Sequence, residues 1–410
     1  MNDLFKKINK SFLRLSSADY SIDKIRQDDS YGWAGDWEGR ALLAFVRLYQ
    51  VTGKKIPCAD EIINRLPKWL NERGYMGEIS FPLADEQQLS GHSWLLRGLT
   101  AYYRAFNDER ALTYAKNIVE GLYLPLENNY AEYPLAREKS STGGVSGNSV
   151  GLLGKWKLSS DIGCAFIALD GLSDYYALTA DERVKNMLNR LISRFMQIDL
   201  VGSECQTHAT LSATRGIIRF YRLVKDKKYF DYAAKIYQTY LSCGMTLTYE
   251  NFNWFNRKDS WTEPCAVVDS FIVAAELFRI TGDEKYKTLA ARIWFNGLNF
   301  CQRDNGGAGP NTCVTQSSPV LSISLYEAPF CCTMRYAEGL YYAVENRDLL
   351  DCGSGFSKDE YGRLFLGNVL LVTDENGAFY DKPKIEYAGK TYIEIPSFVK
   401  NGDYKLKVTE

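Results

Sequence analysis

The sequence predicts a mainly α-helical fold, an (α/α) toroid of stacked helical hairpins with a small β region at its C-terminal end. Three observations point there. An aromatic–turn–aspartate pattern recurs between Leu48 and Asp283, apolar residues at helical spacing flank each copy, and beyond Arg347 the texture changes to short strand-like runs.

The repeat copies are Leu48-Tyr49-Gln50-Val51-Thr52-Gly53, Tyr102 to Asp108, Tyr175 to Asp181, Phe220 to Asp226 and Leu277 to Asp283. In four of the five, Asp stands five residues after the aromatic. Each such Asp suits the N-cap of a following helix, because its carboxylate can accept the free N–H groups of the first turn. Helix, turn, helix, repeated many times, closes most naturally into a toroid, with an open solenoid as the alternative. Strands are expected at Arg363–Thr373, Lys384–Tyr387, Thr391–Ile395 and Tyr404–Val408, with turns at Asp374–Gly377 and Ala388-Gly389. The expected division is a helical domain over 1–347 and a small β-strand appendage over 348–410.

Composition narrows the function. The 410 residues are 46% hydrophobic and 24% charged, enough for a large core. With 49 basic against 50 acidic residues, no basic surface for nucleic acid or anionic membrane is expected. No run of about 20 apolar residues suggests a membrane span. Met1 to Ser17 carries Lys6, Lys7 and Lys10 without an apolar stretch, which is not a signal-peptide pattern. Ten irregularly spaced cysteines fit free thiols or a metal site better than a disulfide framework. A cytoplasmic location is therefore expected, or a periplasmic one had a signal peptide been removed. The 28 Tyr and 8 Trp suit sugar-binding faces, but a large helical core accounts for most of them. Ser140–Gly154 is glycine-rich but lacks the spacing and preceding strand of a phosphate loop. A second glycine-rich loop, Asp304–Pro310, lies between the two segments that follow.

Those segments are Trp261-Thr262-Glu263-Pro264-Cys265 and Phe330-Cys331-Cys332. Together they offer one carboxylate and three thiols, which satisfy a four-coordinate zinc ion. The alternative is that these are ordinary small buried residues. Only two histidines occur, His92 and His208, and each is expected to open a helix. Like-placed histidines at helix mouths can converge on a toroid cavity, or be structural. Glu250, in Tyr249-Glu250-Asn251-Phe252, precedes Glu263 closely, with Trp254 and Trp261 nearby. Paired carboxylates suit glycoside hydrolysis. If Glu263 holds a metal, however, another nucleophile is needed, and a metal-held thiolate can serve.

These residues resemble the β-L-arabinofuranosidases of glycoside hydrolase family 127. The matching pieces, in order, are Gly91-His92, His208-Ala209, Glu250-Asn251-Phe252, Glu263-Pro264-Cys265-Ala266, Phe295-Asn296-Gly297 and Cys331-Cys332 with Arg335. The resemblance runs from about Asp36 to Tyr342. It implies an (α/α)6 barrel and a retaining exo-hydrolase acting on a carbohydrate substrate. Zn2+ would be held by Glu263, Cys265, Cys331 and Cys332. Cys331 would be the nucleophile and Glu250 the acid/base. His92 and His208 would bind sugar hydroxyls, and aromatics such as Trp254 and Trp261 would shape the pocket. Four departures stand out. Gly163-Cys164 replaces a mid-domain Gly-His, Pro264 replaces Thr, the Glu250 to Glu263 interval is a little shorter than usual, and the β region is smaller than the family's sandwich domains. Two other readings compete: a non-catalytic carbohydrate-binding or scaffold toroid with structural zinc, and another (α/α)-barrel sugar enzyme such as an epimerase or an unsaturated uronyl hydrolase.

Overall fold

The computed structural model describes residues 2–28, 30–137, 144–374, 383–395 and 404–408. Residues 140–143 of the first glycine-rich loop and 375–377 of the expected strand turn lie outside them. Two compact units make up the chain, residues 15–240 and residues 1–14 with 241–410.

In the first unit, helices Asp36–Thr52, Glu86–Phe106, Ala168–Thr179 and Thr207–Val224 pack in succession, each on the next. They are buried along most of their length. Each is followed by a partner helix, namely Cys58–Arg65, Glu109–Ile118, Glu182–Phe195 and Lys227–Cys243. The partners are amphipathic. Glu182–Phe195 buries Val184, Met187, Leu188, Leu191, Ile192 and Phe195, a single stripe at helical spacing.

The aromatic–turn–Asp repeat has a common geometry. Asn107, Ala180, Lys225 and Gly282 each adopt a left-handed φ, between 49° and 69°. Their backbone N–H groups donate back to the carbonyls of Tyr103, Tyr176, Tyr221 and Phe278, the aromatics of the motif. The next residue is the expected cap. Asp108, Asp181, Asp226 and Asp283 accept the N–H of Arg110, Arg183, Lys228 and Lys285 at 2.9 to 3.1 Å. One left-handed residue and one capping Asp thus turn the chain between the two helices of these four hairpins.

Two local expectations are corrected. Part of the first glycine-rich stretch is a hairpin, Ser149–Leu153 with Trp156–Ser159, joined by the two-residue strand Ala84–Asp85. Trp156 anchors it, packing edge-on against Tyr130 and Tyr133 and donating to the Asn129 carbonyl at 3.1 Å. His92 does not open its helix. The Glu86–Phe106 helix starts six residues earlier, where Asp85 accepts the N–H groups of Gln87 and Gln88.

The second unit holds helices Pro264–Thr281, Glu284–Arg292 and Met334–Glu345. The N-terminal helix Asn2–Leu15 joins it through residues 1–14. Lys7 donates to the Asn299 carbonyl at 3.3 Å, and Arg14 grips Glu327 with Nε and Nη2 at 2.9 to 3.2 Å. Strand Val369–Asp374 pairs with Leu364–Leu366, Lys390–Glu394 and Tyr404–Lys407. Tyr404–Lys407 continues the pairing to Val320–Leu321, and Phe356–Lys358 adds a strand that the sequence reading lacked. These strands share a unit with the helices. Asn296 accepts the Leu370 N–H at 2.7 Å and donates to the Asn368 carbonyl at 3.0 Å. No helix among the described residues is long and apolar enough to cross a membrane.

Candidate metal and catalytic site

The strongest constellation lies in the second unit, where two helices that pack together present their N-termini. Glu263 is the N-cap of Pro264–Thr281, Pro264 fills the first helical position, and Cys265 follows in the first turn. Proline suits that position, because its missing N–H would have no helical partner there and its φ is preset. Cys331 and Cys332 lie in the opening turn Pro329–Thr333, which runs into Met334–Glu345. Beneath them, buried Arg335 pairs with Asp269 and with Glu338.

Glu263, Cys265, Cys331 and Cys332 bring one ligand atom each to within 4.8 Å of one another. The Cys265 sulfur is 3.2 Å from that of Cys331 and 3.9 Å from that of Cys332. Cys331 Sγ lies 3.6 Å from Glu263 Oε1. Zinc–sulfur bonds of about 2.3 Å at tetrahedral angles put sulfurs about 3.8 Å apart, which the observed pairs bracket. Burial, then contact with Cys331 and Cys332, pushes the Cys265 thiol well above its usual range. At Cys332 the bond with Cys265 pulls downward, but contact with Cys331 and burial outweigh it and the thiol is also raised. Three crowded thiols become thiolates only if a cation supplies the compensating charge. The donor set fits a zinc-sized, thiophilic ion. The ten cysteines form no disulfide.

Glu250 occupies a buried turn in the same unit. Tyr249, just before it, has a φ of 64°, and the Thr246 hydroxyl receives the Glu250 N–H at 3.1 Å. Gly297 backs this turn, since a Cβ there would lie 2.6 Å from the Tyr249 carbonyl oxygen. The Phe295-Asn296-Gly297 motif therefore does two structural jobs, seating the Glu250 turn and docking the strand at Leu370. Glu250 Oε1 accepts from Asn311 Nδ2 at 2.7 Å, and Oε2 accepts from the Thr248 hydroxyl at 3.2 Å. Burial raises the carboxyl to about 7, against the pull of the Asn311 and Thr248 hydrogen bonds and the Arg303 charge. The adjacent Asn251 accepts the Glu263 N–H at 3.3 Å, linking this turn to the cysteine cluster.

The other sequence-selected residues are placed differently. His92 is fully buried, with Nδ1 2.8 Å from the Gln88 carbonyl oxygen and Nε2 accepting the Met76 N–H at 3.0 Å. Both ring nitrogens are spent inside the protein, and burial holds the imidazole down at about 4, hence neutral. His208, the second residue of its helix, stacks on Trp94 at 5.7 Å. Its Nε2 lies 3.5 Å from Arg40, whose Nε is held 2.9 Å from both Asp36 oxygens. A cavity of about 600 Å³ in the 15–240 unit borders the 149–159 hairpin, lined by Arg137, Ser159, Ser160 and Ile162 among others. Neither histidine is among its described lining residues. Cys164, in the place of the mid-domain His, is fully buried and begins the short helix Cys164–Ile167. Trp254 is also fully buried, edge-on to the partly exposed Trp261 at 5.2 Å.

Arg303 and Asn311 went unselected in the sequence. They flank the Asp304–Pro310 loop, and the pairing of Trp261-Thr262 with Asn311-Thr312, together with the Leu247 N–H bond to the Val314 carbonyl, brings Asn311 to Glu250.

No protein-family model matches the sequence, and no curated protein does. Solved structures do. A glycoside hydrolase family 127 β-arabinofuranosidase matches over 92% of this chain with a TM-score of 0.55 and 12% identity. The fold class is the (α/α)6 barrel, with a small C-terminal strand region. This chain spans 63% of the length of that enzyme. A cellobiose 2-epimerase from Bacillus thermoamylovorans matches over 84% of this chain and its own whole length, with a TM-score of 0.56 and 16% identity. A D-mannose isomerase matches over 84% of this chain and 98% of its own, with a TM-score of 0.56 and 12% identity. Hydrolase and isomerase scaffolds fit about equally well, so the likeness carries the fold alone.

Proposed function

We propose that this protein is a carbohydrate-active enzyme, a retaining exo-glycoside hydrolase of the β-L-arabinofuranosidase type. The observation that carries this reading is the donor set Glu263, Cys265, Cys331 and Cys332, in the same unit as a buried carboxyl, Glu250, poised near neutrality. A bound Zn2+ would supply charge that keeps the cysteines as thiolates.

Cys331 is the nucleophile because it is the most accessible of the three cluster cysteines; Cys265 and Cys332 are buried. Its sulfur bonds to the anomeric carbon as the glycosidic C–O bond breaks, and the Glu250 proton goes to the leaving oxygen. In the second half water attacks the anomeric carbon, Glu250 takes its proton, and the C–S bond breaks to return the thiolate. One group must act first as acid and then as base, which suits a carboxyl held near 7. Trp261 offers a partly exposed aromatic face for a sugar ring, backed by Trp254. His92 acts by holding the Met76 segment.

The test is metal analysis of protein purified without added metal, together with a screen of nitrophenyl furanosides and pyranosides. One zinc per chain and hydrolysis of a furanoside are expected. Zinc without hydrolysis would favour the scaffold reading, and no zinc under reducing conditions would remove the basis for the nucleophile.

A further inference from the structure

We infer that Asn311, itself held by Arg303, is a positioning residue that fixes the orientation of the Glu250 carboxylate. This rests on the acid/base reading of Glu250 for its consequence in catalysis, but its geometry stands independently.

The Asn311 side chain has a single workable orientation. Its Oδ1 accepts from Arg303 Nη2 at 2.8 Å, and its Nδ2 donates to Glu250 at 2.7 Å. Flipping the amide would set oxygen against carboxylate and NH2 against guanidinium, turning two attractions into two repulsions. The backbone is pinned as well, because Asn311 N–H donates to the Thr262 hydroxyl at 2.9 Å and that hydroxyl donates to the Asn311 carbonyl at 3.1 Å.

Arg303 is equally constrained. It donates to the carbonyls of Phe300, Gly309, Pro310 and Tyr326 at 2.7 to 3.2 Å, all neutral acceptors. Its charge therefore reaches Glu250 through the amide of Asn311 without a direct ion pair to clamp the proton. A direct Arg–Glu pair would hold the carboxyl ionised and unable to act as an acid. The charged and titratable groups facing Glu250 are Arg303 and the thiols of Cys301 and Cys313. Both thiols are raised, by burial first and then by Glu250, so they stay neutral. The same loop reaches the cysteines. Ala308 N–H donates to the Thr333 hydroxyl at 2.9 Å, and its carbonyl accepts the Ala328 N–H at 2.9 Å, on either side of Cys331-Cys332. Arg303 to Asn311 thus braces the acid/base against the segment that carries the thiols.

One variant is Asn311→Asp, which keeps the shape and the Arg303 contact, removes the donor to Glu250 and sets a second carboxylate beside it; Asn311→Ala removes the donor without adding charge. Infrared titration of the Glu250 carboxyl, assigned by subtracting the Glu250→Gln spectrum, should move upward by about one unit or more. Zinc content should not change. In the activity profile the alkaline limb of kcat/KM should shift upward with it, while kcat at neutral pH falls because the second half-reaction needs the ionised form. Asn311→Ala should move the titration in the same direction and serves if the Asp variant does not fold. An unmoved Glu250 titration in a folded variant would overturn the inference. A moved titration in a protein that hydrolyses none of the glycosides would uphold it while defeating the hydrolase reading.

Discussion

Two regions offered equally suggestive residues and used them in opposite ways. In the 241–345 region, Glu263 and three cysteines converge at two helix N-termini, and their donor atoms face one another. In the 15–240 region, His92 sits two turns inside a helix with both ring nitrogens occupied by the backbone. The difference teaches that a chemically able side chain is available for chemistry only when the fold leaves its bonding capacity unspent. A pair of helix N-termini does so for the cluster thiols, since it leaves their sulfurs facing one another with their lone pairs free for a cation. A helix interior next to a looping segment consumes an imidazole completely.

The sharpest break of that comparison is Cys331→Ser. Turnover should fall by at least about 10⁴-fold, since a hydroxyl is a poor nucleophile at neutral pH. Because metal binding also weakens, zinc content is measured alongside. A mechanism-based sugar electrophile should label Cys331 and spare Cys332 and Cys265, and labelling of Glu263 would return that carboxylate to catalysis.

Next comes Glu250→Gln, with an expected loss of about 10²–10⁴-fold on substrates with poor leaving groups and less on nitrophenyl glycosides. The same variant has a stability signature. A carboxyl raised to about 7 in the folded state binds more protons than the unfolded chain between about pH 4.5 and 7, so stability falls as pH rises through that window. Glu250→Gln should abolish this fall and stabilise the protein above pH 7 by about 2–3 kcal/mol in denaturant melts.

His92→Ala should act on stability, by about 3 kcal/mol, because it leaves the buried Met76 N–H without its acceptor and opens a cavity. Its zinc content should remain that of the wild type. Loss of sugar binding with unchanged stability would put His92 back among the ligands.

The mildest probes test the turns. Asp181→Ala should cost about 1 kcal/mol by removing a cap, and Ala180→Gly should gain about 0.5 kcal/mol by relieving a left-handed alanine. Thermal melts read both.

The legibility of the sequence follows the range of the interactions. The hairpin turns were readable because aromatic, left-handed residue and capping Asp interact within five positions. The cysteine cluster was readable because ligand chemistry is rare enough to stand out over any separation. Asn311 was not, since its meaning comes from a two-residue strand pairing with Thr262, far back along the chain. The start of the His92 helix was misread because Ser90-Gly91 looks like a helix beginning. Gly91 is there for another reason: a Cβ would lie 2.4 Å from the Ala34 carbonyl oxygen, so only glycine lets the helix lie against that segment. The β hairpin at 149–159 was hidden by its glycines, and its anchor Trp156 was recognisable only by what it packs against.

The two-residue turn that joins the helices of each hairpin has a wider consequence. Four hairpins close through one left-handed residue and one Asp, a join too short to vary without breaking both helices. The segments entering and leaving these hairpins, such as 196–206, 244–263 and 302–333, are longer, and insertions at their exposed positions, away from the pinned Glu250, Arg303 and Asn311, cost only a slowly growing loop entropy. The scaffold is therefore restricted at one end of each of these four hairpins and editable at the other. Transplanting a whole connecting segment between such proteins should change the reaction and leave the folding unit intact.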